Sequence, residues 1–151
     1  MVKTAVAEAL SRRLNARCFH IDDVLKEHGL TSDREDGYIS QKSFLKVNEI
    51  LAPQANKLLN DGTPVIFDGN FYWKSQIEDL IQRLGFPHYV FTLQAPFEVC
   101  VARDAQRNPP HGEDAVRAVY AKAAEFDYGT IIDATRSIDD CVHNILTFLG
   151  M

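Results

Sequence analysis

The chain has 151 residues, 46% apolar and 25% charged, with a formal net charge of −5. That length suits one domain with its own core, and an acidic balance without a basic run argues against long nucleic acid, whose phosphates need clustered Lys and Arg. Cys18, Cys100 and Cys141 lie far apart and the histidines are scattered, so neither a disulfide frame nor a zinc pattern is present. No run of apolar residues reaches membrane-spanning length and no leader pattern is visible, so a cytoplasmic protein with no membrane partner is expected.

The first predicted helix covers residues 4–14, where Val6, Leu10 and Leu14 recur at helical spacing and Arg12 and Arg13 face outward. A short strand over 17–21 follows and ends in Asp22-Asp23. Aspartate is a good N-cap, so a helical turn is expected from Val24 to His28, closed by Gly29. Residues 31–37 are polar and predict a loop. A long helix is expected over about 40–60, with Phe44, Val47, Ile50, Leu51, Ala55, Leu58 and Leu59 on one stripe. Pro53 is expected to kink or divide it.

The apolar run 64–68, ending in Asp68, suits a strand buried on both faces. A helix over 73–84 turns inward Ile77, Leu80, Ile81 and Leu84. A strand from His88 to Leu93 and a helix from Pro96 to about Arg107 come next. The segment 108–112 is a loop, Glu113 to Phe126 a helix, and 130–133 a strand. Ile138, Cys141, Val142, Ile145, Leu146 and Leu149 mark a last amphipathic helix. Strands alternating with helices imply a parallel sheet covered on both faces, an α/β fold.

Several residues carry possible chemistry. Lys3-Thr4 before an amphipathic helix has the form of the last two positions of G-x-x-x-x-G-K-[ST], whose lysine reaches nucleotide phosphates and whose hydroxyl holds Mg²⁺. Alone the pair carries almost no information. Asp22, Asp68 and Asp133 fall at predicted strand ends, where ligands of such sheets bind. Arg103 and Arg107, four apart, share a predicted helix face and can present planar donors to phosphate oxygens. Each also has a plainer reading. Asp22-Asp23 can cap a helix, Asp68 can close a turn, Asp133 can cap its strand end, and the arginines can form a solvated face with Asp104. His20 reads as structural. Phe71, Tyr72, Trp73 and Lys74 suit an acceptor pocket and helix-start packing equally. The functional reading gains from their joint occurrence in one chain order.

Lys3-Thr4, FHIDD at 19–23, VIFDGNF at 65–71 and VCVARDAQR at 99–107, followed by NPPHGEDAVRAVY, together resemble the P-loop kinase-like NTPases of the AAA_33 type. That group includes polynucleotide kinases, zeta toxins and chloramphenicol phosphotransferases. The resemblance implies a three-layer α/β/α P-loop NTPase fold with a parallel sheet, one domain over 1–151 and a lid near 103–116. It implies ATP and Mg²⁺ as cofactors. Lys3, Thr4, Arg103 and Arg107 would hold nucleotide, Thr4 and Asp68 the metal. Asp22 would take the acceptor proton, and Arg107 would act with it on the transferring phosphoryl. The late strand and loop, 130–137, match the segment near adenine.

The chain departs from the pattern twice. The first strand and the Gly-rich loop are missing, which should leave the strands at 64–68 and 88–93 without their shared neighbour. An internal start, a degenerate relative, or a sheet completed by a second chain, as in a homodimer, would each explain this. Kinase activity of the chain as written is therefore expected to be impaired; the alternative is a non-catalytic nucleotide-binding or interaction module. The second departure is Val24-Leu25-Lys26 after the aspartates, where polynucleotide kinases carry a phosphate-gripping arginine. A small-molecule hydroxyl or nucleoside acceptor is expected ahead of a nucleic-acid end. An adenylate-type kinase would need a second nucleotide pocket, for which only Arg34, Lys42 and Lys46 offer basic residues.

Overall fold

The computed structural model describes residues 2–126 and 128–151. In chain order the elements are α1 (Val2–Leu14), β1 (Arg17–His20), α2 (Ile21–Glu27), β2 (Arg34–Glu35), β3 (Tyr38–Ile39), α3 (Gln41–Asn60), β4 (Val65–Asp68), α4 (Lys74–Leu84), β5 (Phe91–Gln94), α5 (Phe97–Ala105), α6 (Glu113–Ala123), β6 (Thr130–Asp133) and α7 (Ile138–Phe148). Two compact units form: residues 10–88, and residues 2–9 together with 89–126 and 128–151.

In the 10–88 unit, β1 and β4 pair in parallel, in a register that runs from Arg17↔Val65 to His20↔Asp68. Phe19 stacks on Phe67 with ring centroids 5.6 Å apart. Around this pair Ile21, Leu25, Phe44, Val47, Leu51 and Ala55 make the core. The core residues of α3 recur at three- and four-residue intervals, the spacing that places them on one helical face. Ser40 caps α3, accepting the Ser43 N–H at 3.1 Å. Of the two expected outcomes at Pro53, division does not occur: α3 is one helix. Pro53 lies on the exposed face, where the carbonyl it leaves without a donor can be solvated.

The segment expected as a loop over 31–37 instead enters a small antiparallel hairpin, β2–β3. Its turn residues Asp36 and Gly37 both have positive φ, 53° and 83°. Asp-Gly is the favoured pair for such a turn. Glu35 then ties the hairpin to α3 by accepting the Gln41 N–H at 3.0 Å.

In the other unit β5 and β6 pair in parallel, Phe91↔Thr130 to Gln94↔Asp133. β5 begins later than expected, where the incoming chain first meets it through Thr130 N–H to Val90 O at 2.9 Å. α7 is capped by Ser137 and buries Cys141, Val142, Ile145 and Leu146. Gly129 has φ 72° and passes so close to Val90 that a Cβ would overlap its carbonyl; only glycine fits.

β4 pairs with β1 and β5 with β6, and among the described residues neither has a second strand neighbour. That is the unpaired arrangement expected from the sequence. It accounts for a correction in β4: Val65, Ile66 and Phe67 are half-buried, where burial on both faces was expected.

Candidate functional site

β1 and β4 end together. His20 closes one strand, Asp68 closes the other, and the two are register partners. The His20 Nδ1 lies 2.9 Å from Asp68 Oδ2, and the Asp68 side chain is only 8% exposed. An ionised carboxylate only accepts, so Nδ1–H is the donor. Gly69 follows, and a Cβ there would stand 2.9 Å from Ile21 Cβ. The missing side chain lets the end of β4 approach the start of α2.

α2 starts at Ile21, immediately after His20, so Asp22 and Asp23 occupy its first turn and do not cap it as expected. The N-cap is His20, with φ −92°, ψ 108° and no side-chain cap bond. Carboxylates in the first turn still face the positive end of the helix. Burial, then the nearby Asp22 carboxylate, push the Tyr72 phenol above its ordinary pKa, while a hydrogen bond from Asn70 opposes the rise; Tyr38 and Arg34 act more weakly. Tyr72 packs against Tyr38 at 5.4 Å and edge-on to Phe44 at 5.8 Å. Trp73 is committed to packing, its Nε1–H donating to Ile39 O at 2.9 Å. Lys74 is exposed and stands 3.9 Å from Glu78. Tyr72 is coupled electrostatically to Asp22.

In the other unit, Lys3 and Thr4 sit in the first turn of α1, which contains no acidic residue. α5 ends at Ala105, with Gln106 as its C-cap. Arg103 is therefore helical and Arg107 is not, contrary to the expected shared helix face. The helix ends because the chain turns back on Asp104. Arg107 N–H bonds Asp104 O at 2.9 Å, and the Asp104 carboxylate accepts the His111 and Gly112 N–H groups at 3.1 and 2.9 Å. Asp104 is 8% exposed, so it is no part of a solvated face. Burial pushes its carboxyl up, but the two amides, with His111 and Arg107, outweigh that and hold it below the ordinary range. Asp133 differs from Asp68: it is exposed and bonded to Thr135 N–H and Oγ1–H at 2.9 and 2.6 Å. Those bonds hold its pKa low, and its role is a local turn.

The profile of the AAA domain family, AAA_33, matches residues 1–127. The chain belongs to this family. Its structure is similar to a sugar kinase from Janibacter sp. HTCC2649, with a TM-score of 0.73 at 14% identity over 97% of this chain and 87% of that one. A gluconokinase from Sinorhizobium meliloti 1021 gives 0.71 at 14% identity over 98% and 85%. The tunicamycin resistance protein of Deinococcus radiodurans gives 0.71 at 19% identity over 99% and 90%. At these identities the likeness is one of fold, the α/β fold of P-loop kinases. No curated protein matches the chain. Among the described residues no helix is long and apolar enough to cross a membrane.

In this AAA-family chain the site residues named from sequence divide between the units. Asp22 and Asp68 belong to residues 10–88; Lys3, Thr4, Arg103 and Arg107 belong to the other unit. The sequence marks His20 only as structural and Asp104 only as part of a solvated face. His20 has a signal in hindsight, since a parallel pairing of 17–20 with 65–68 sets it against Asp68. Asp104 has none, because its partners are backbone amides at positions no side-chain pattern marks.

Proposed function

We propose that the chain is an ATP-dependent phosphotransferase scaffold that moves the γ-phosphate to a hydroxyl of a small molecule. The observation that carries this is the placement of Asp22 and Asp68 at the carboxyl end of one parallel strand pair, in a chain of the AAA family. The sugar kinase and gluconokinase among its structural neighbours favour a small polyhydroxy acceptor over a nucleic-acid end.

Phosphoryl transfer needs positioning and positive charge more than covalent chemistry. Asp22 takes the proton of the acceptor hydroxyl. Lys3, at the N-terminal turn of α1, contacts the nucleotide phosphates, a setting suited to anions. Arg103 and Arg107 neutralise charge on the transferring group, Arg107 from the loop that Asp104 holds. Tyr72, whose phenol feels the Asp22 carboxylate, contacts the acceptor. The domain is one functional piece with its lid near 103–116, working in the cytoplasm.

The donor set suits Mg²⁺. That ion takes one or two protein oxygens and completes its shell with phosphate oxygens and water. Asp68, in the 10–88 unit, and Thr4, in the other, are each hard oxygen donors of this kind. When bound, Mg²⁺ supplies charge neutralisation at the phosphates.

The test is ATP turnover against a panel of sugars and nucleosides, for the chain itself and for a version preceded by a strand and a glycine loop. The extended version should phosphorylate a sugar-like acceptor, and Asp22→Ala should abolish that. Turnover unchanged in Asp22→Ala would reject the assigned base. Absence of both turnover and nucleotide binding in the extended version would leave the non-catalytic interaction module as the correct reading.

A further inference from the structure

His20 occupies the N-cap of α2, a position where the side-chain oxygen of Ser, Asp or Asn would accept from the first-turn N–H groups. It makes no such bond. Its ring is instead turned across the strand pair to Asp68, 48 residues away in sequence, at 2.9 Å. The main chain runs from His20 through Ile21 directly into Asp22. One residue thus holds the carboxylate at the end of β4 with its side chain and leads into the first turn of α2 with its backbone. Ile21, fully buried, anchors the link between them. The register pair just before, Phe19↔Phe67, stacks in the core, so the strand ends cannot slide past one another without breaking that packing.

We propose that His20 is the positioning residue of the site: its Nδ1–H fixes the Asp68 carboxylate in the orientation that receives a divalent cation. This rests on the metal role given to Asp68 above. Metal-binding carboxylates are commonly oriented by such outer hydrogen bonds, and their loss typically lowers metal affinity by about 10- to 100-fold. The relevant atom is Nδ1. Asparagine carries an amide nitrogen at nearly the same place, whereas glutamine carries it near the Nε2 position.

The experiment uses the 151-residue chain, isotopically labelled, with Mn²⁺ alone as the probe. Paramagnetic broadening of the amides of residues 20–22 and 66–69 is followed through the titration, which reads weak as well as tight binding. Broadening should appear in the wild type, require about tenfold more Mn²⁺ or beyond in His20→Ala and His20→Gln, and return to near wild-type concentrations in His20→Asn. Asp68→Ala should abolish it. Urea midpoints of all variants confirm folding, and His20→Gln serves if His20→Ala does not fold. Wild-type behaviour in both His20→Ala and His20→Gln, with Asp68→Ala silent, overturns the positioning role while leaving Asp68 as the ligand. No site-localised broadening in the wild type, or unchanged broadening in Asp68→Ala, overturns the metal role of Asp68 and this inference with it.

Discussion

The two parallel strand pairs are built alike and end differently. Each has four residues per strand and each closes on an aspartate, β1–β4 on Asp68 and β5–β6 on Asp133. Asp68 is buried and bonded to a ring on the neighbouring strand. Asp133 is exposed and bonded to Thr135, two residues on. A strand-end carboxylate is available to many chemistries; burial and a long-range partner are what separate a site residue from a turn residue. The glycines beside the pairs differ in the same sense. Gly129 makes room for the Val90 backbone and Gly69 for the Ile21 side chain.

The largest expected effect breaks the β5–β6 pair. Gly129→Ala places a Cβ on the Val90 carbonyl at φ 72°. Backbone cannot yield as a side chain can, so a loss of about 2–4 kcal/mol is expected from strain and overpacking together, read as a lowered urea midpoint. Gly69→Ala meets only Ile21 Cβ at 2.9 Å, without a positive φ, and should cost clearly less. Equal losses would show that the two approaches are equally tight.

Next comes the polar end of β1–β4. Asp68→Ala leaves the His20 ring without its acceptor and should cost about 1–3 kcal/mol of stability. Under the proposed function it should also abolish nucleotide-dependent turnover in the version carrying a glycine loop. Stability loss without loss of turnover would reduce Asp68 to the same structural standing as Asp133.

A third expectation sharpens what burial means in the 10–88 unit. The Gln76 side chain is 1% exposed, and neither its Nε2 nor its Oε1 has a hydrogen-bond partner. Its backbone carbonyl, which accepts from Asn48 Nδ2 at 3.0 Å, would survive substitution. Gln76→Leu should therefore stabilise the protein by about 1 kcal/mol, checked by the urea midpoint. Destabilisation would mean that the amide has a role its contacts do not reveal.

These contrasts mark what the sequence could show. Periodicity was enough for α1, α3 and α7, because three or more turns repeat the pattern. It failed for β2 and β3, whose strands are two residues each, although Asp36-Gly37 announced the turn. The capping preference of aspartate points to Asp22, while the cap position falls to His20, whose side chain bonds Asp68. Nothing in Gln106-Arg107 breaks a helix, so the end of α5 is not legible there; the Asp104 bonds to His111 and Gly112 set it. Asp22 and Asp68 were legible as candidates from position alone. Which strand-end aspartate was buried and paired was not, since strand register is a property of the fold.

The smallest expected effect is at Asp133, and it concerns pH. Hydrogen bonds from the Thr135 hydroxyl and amide hold this carboxyl below its ordinary pKa, against a small opposing effect of burial and with help from Arg136. A depressed folded pKa means the unfolded chain binds the proton more readily. The stabilisation is therefore present above the unfolded value, about 3.9, and is lost as pH falls through the folded one. Asp133→Asn keeps an oxygen for Thr135 but removes the charge. It should lower the urea midpoint slightly at pH 7 and leave it unchanged once the pH lies below the folded value. The β5–β6 ladder itself, which depends on backbone bonds and on α7, should be indifferent to both. A drop at pH 7 as large as that of Asp68→Ala would show that exposure does not divide the two strand ends, and the asymmetry between the pairs would then rest on His20 alone.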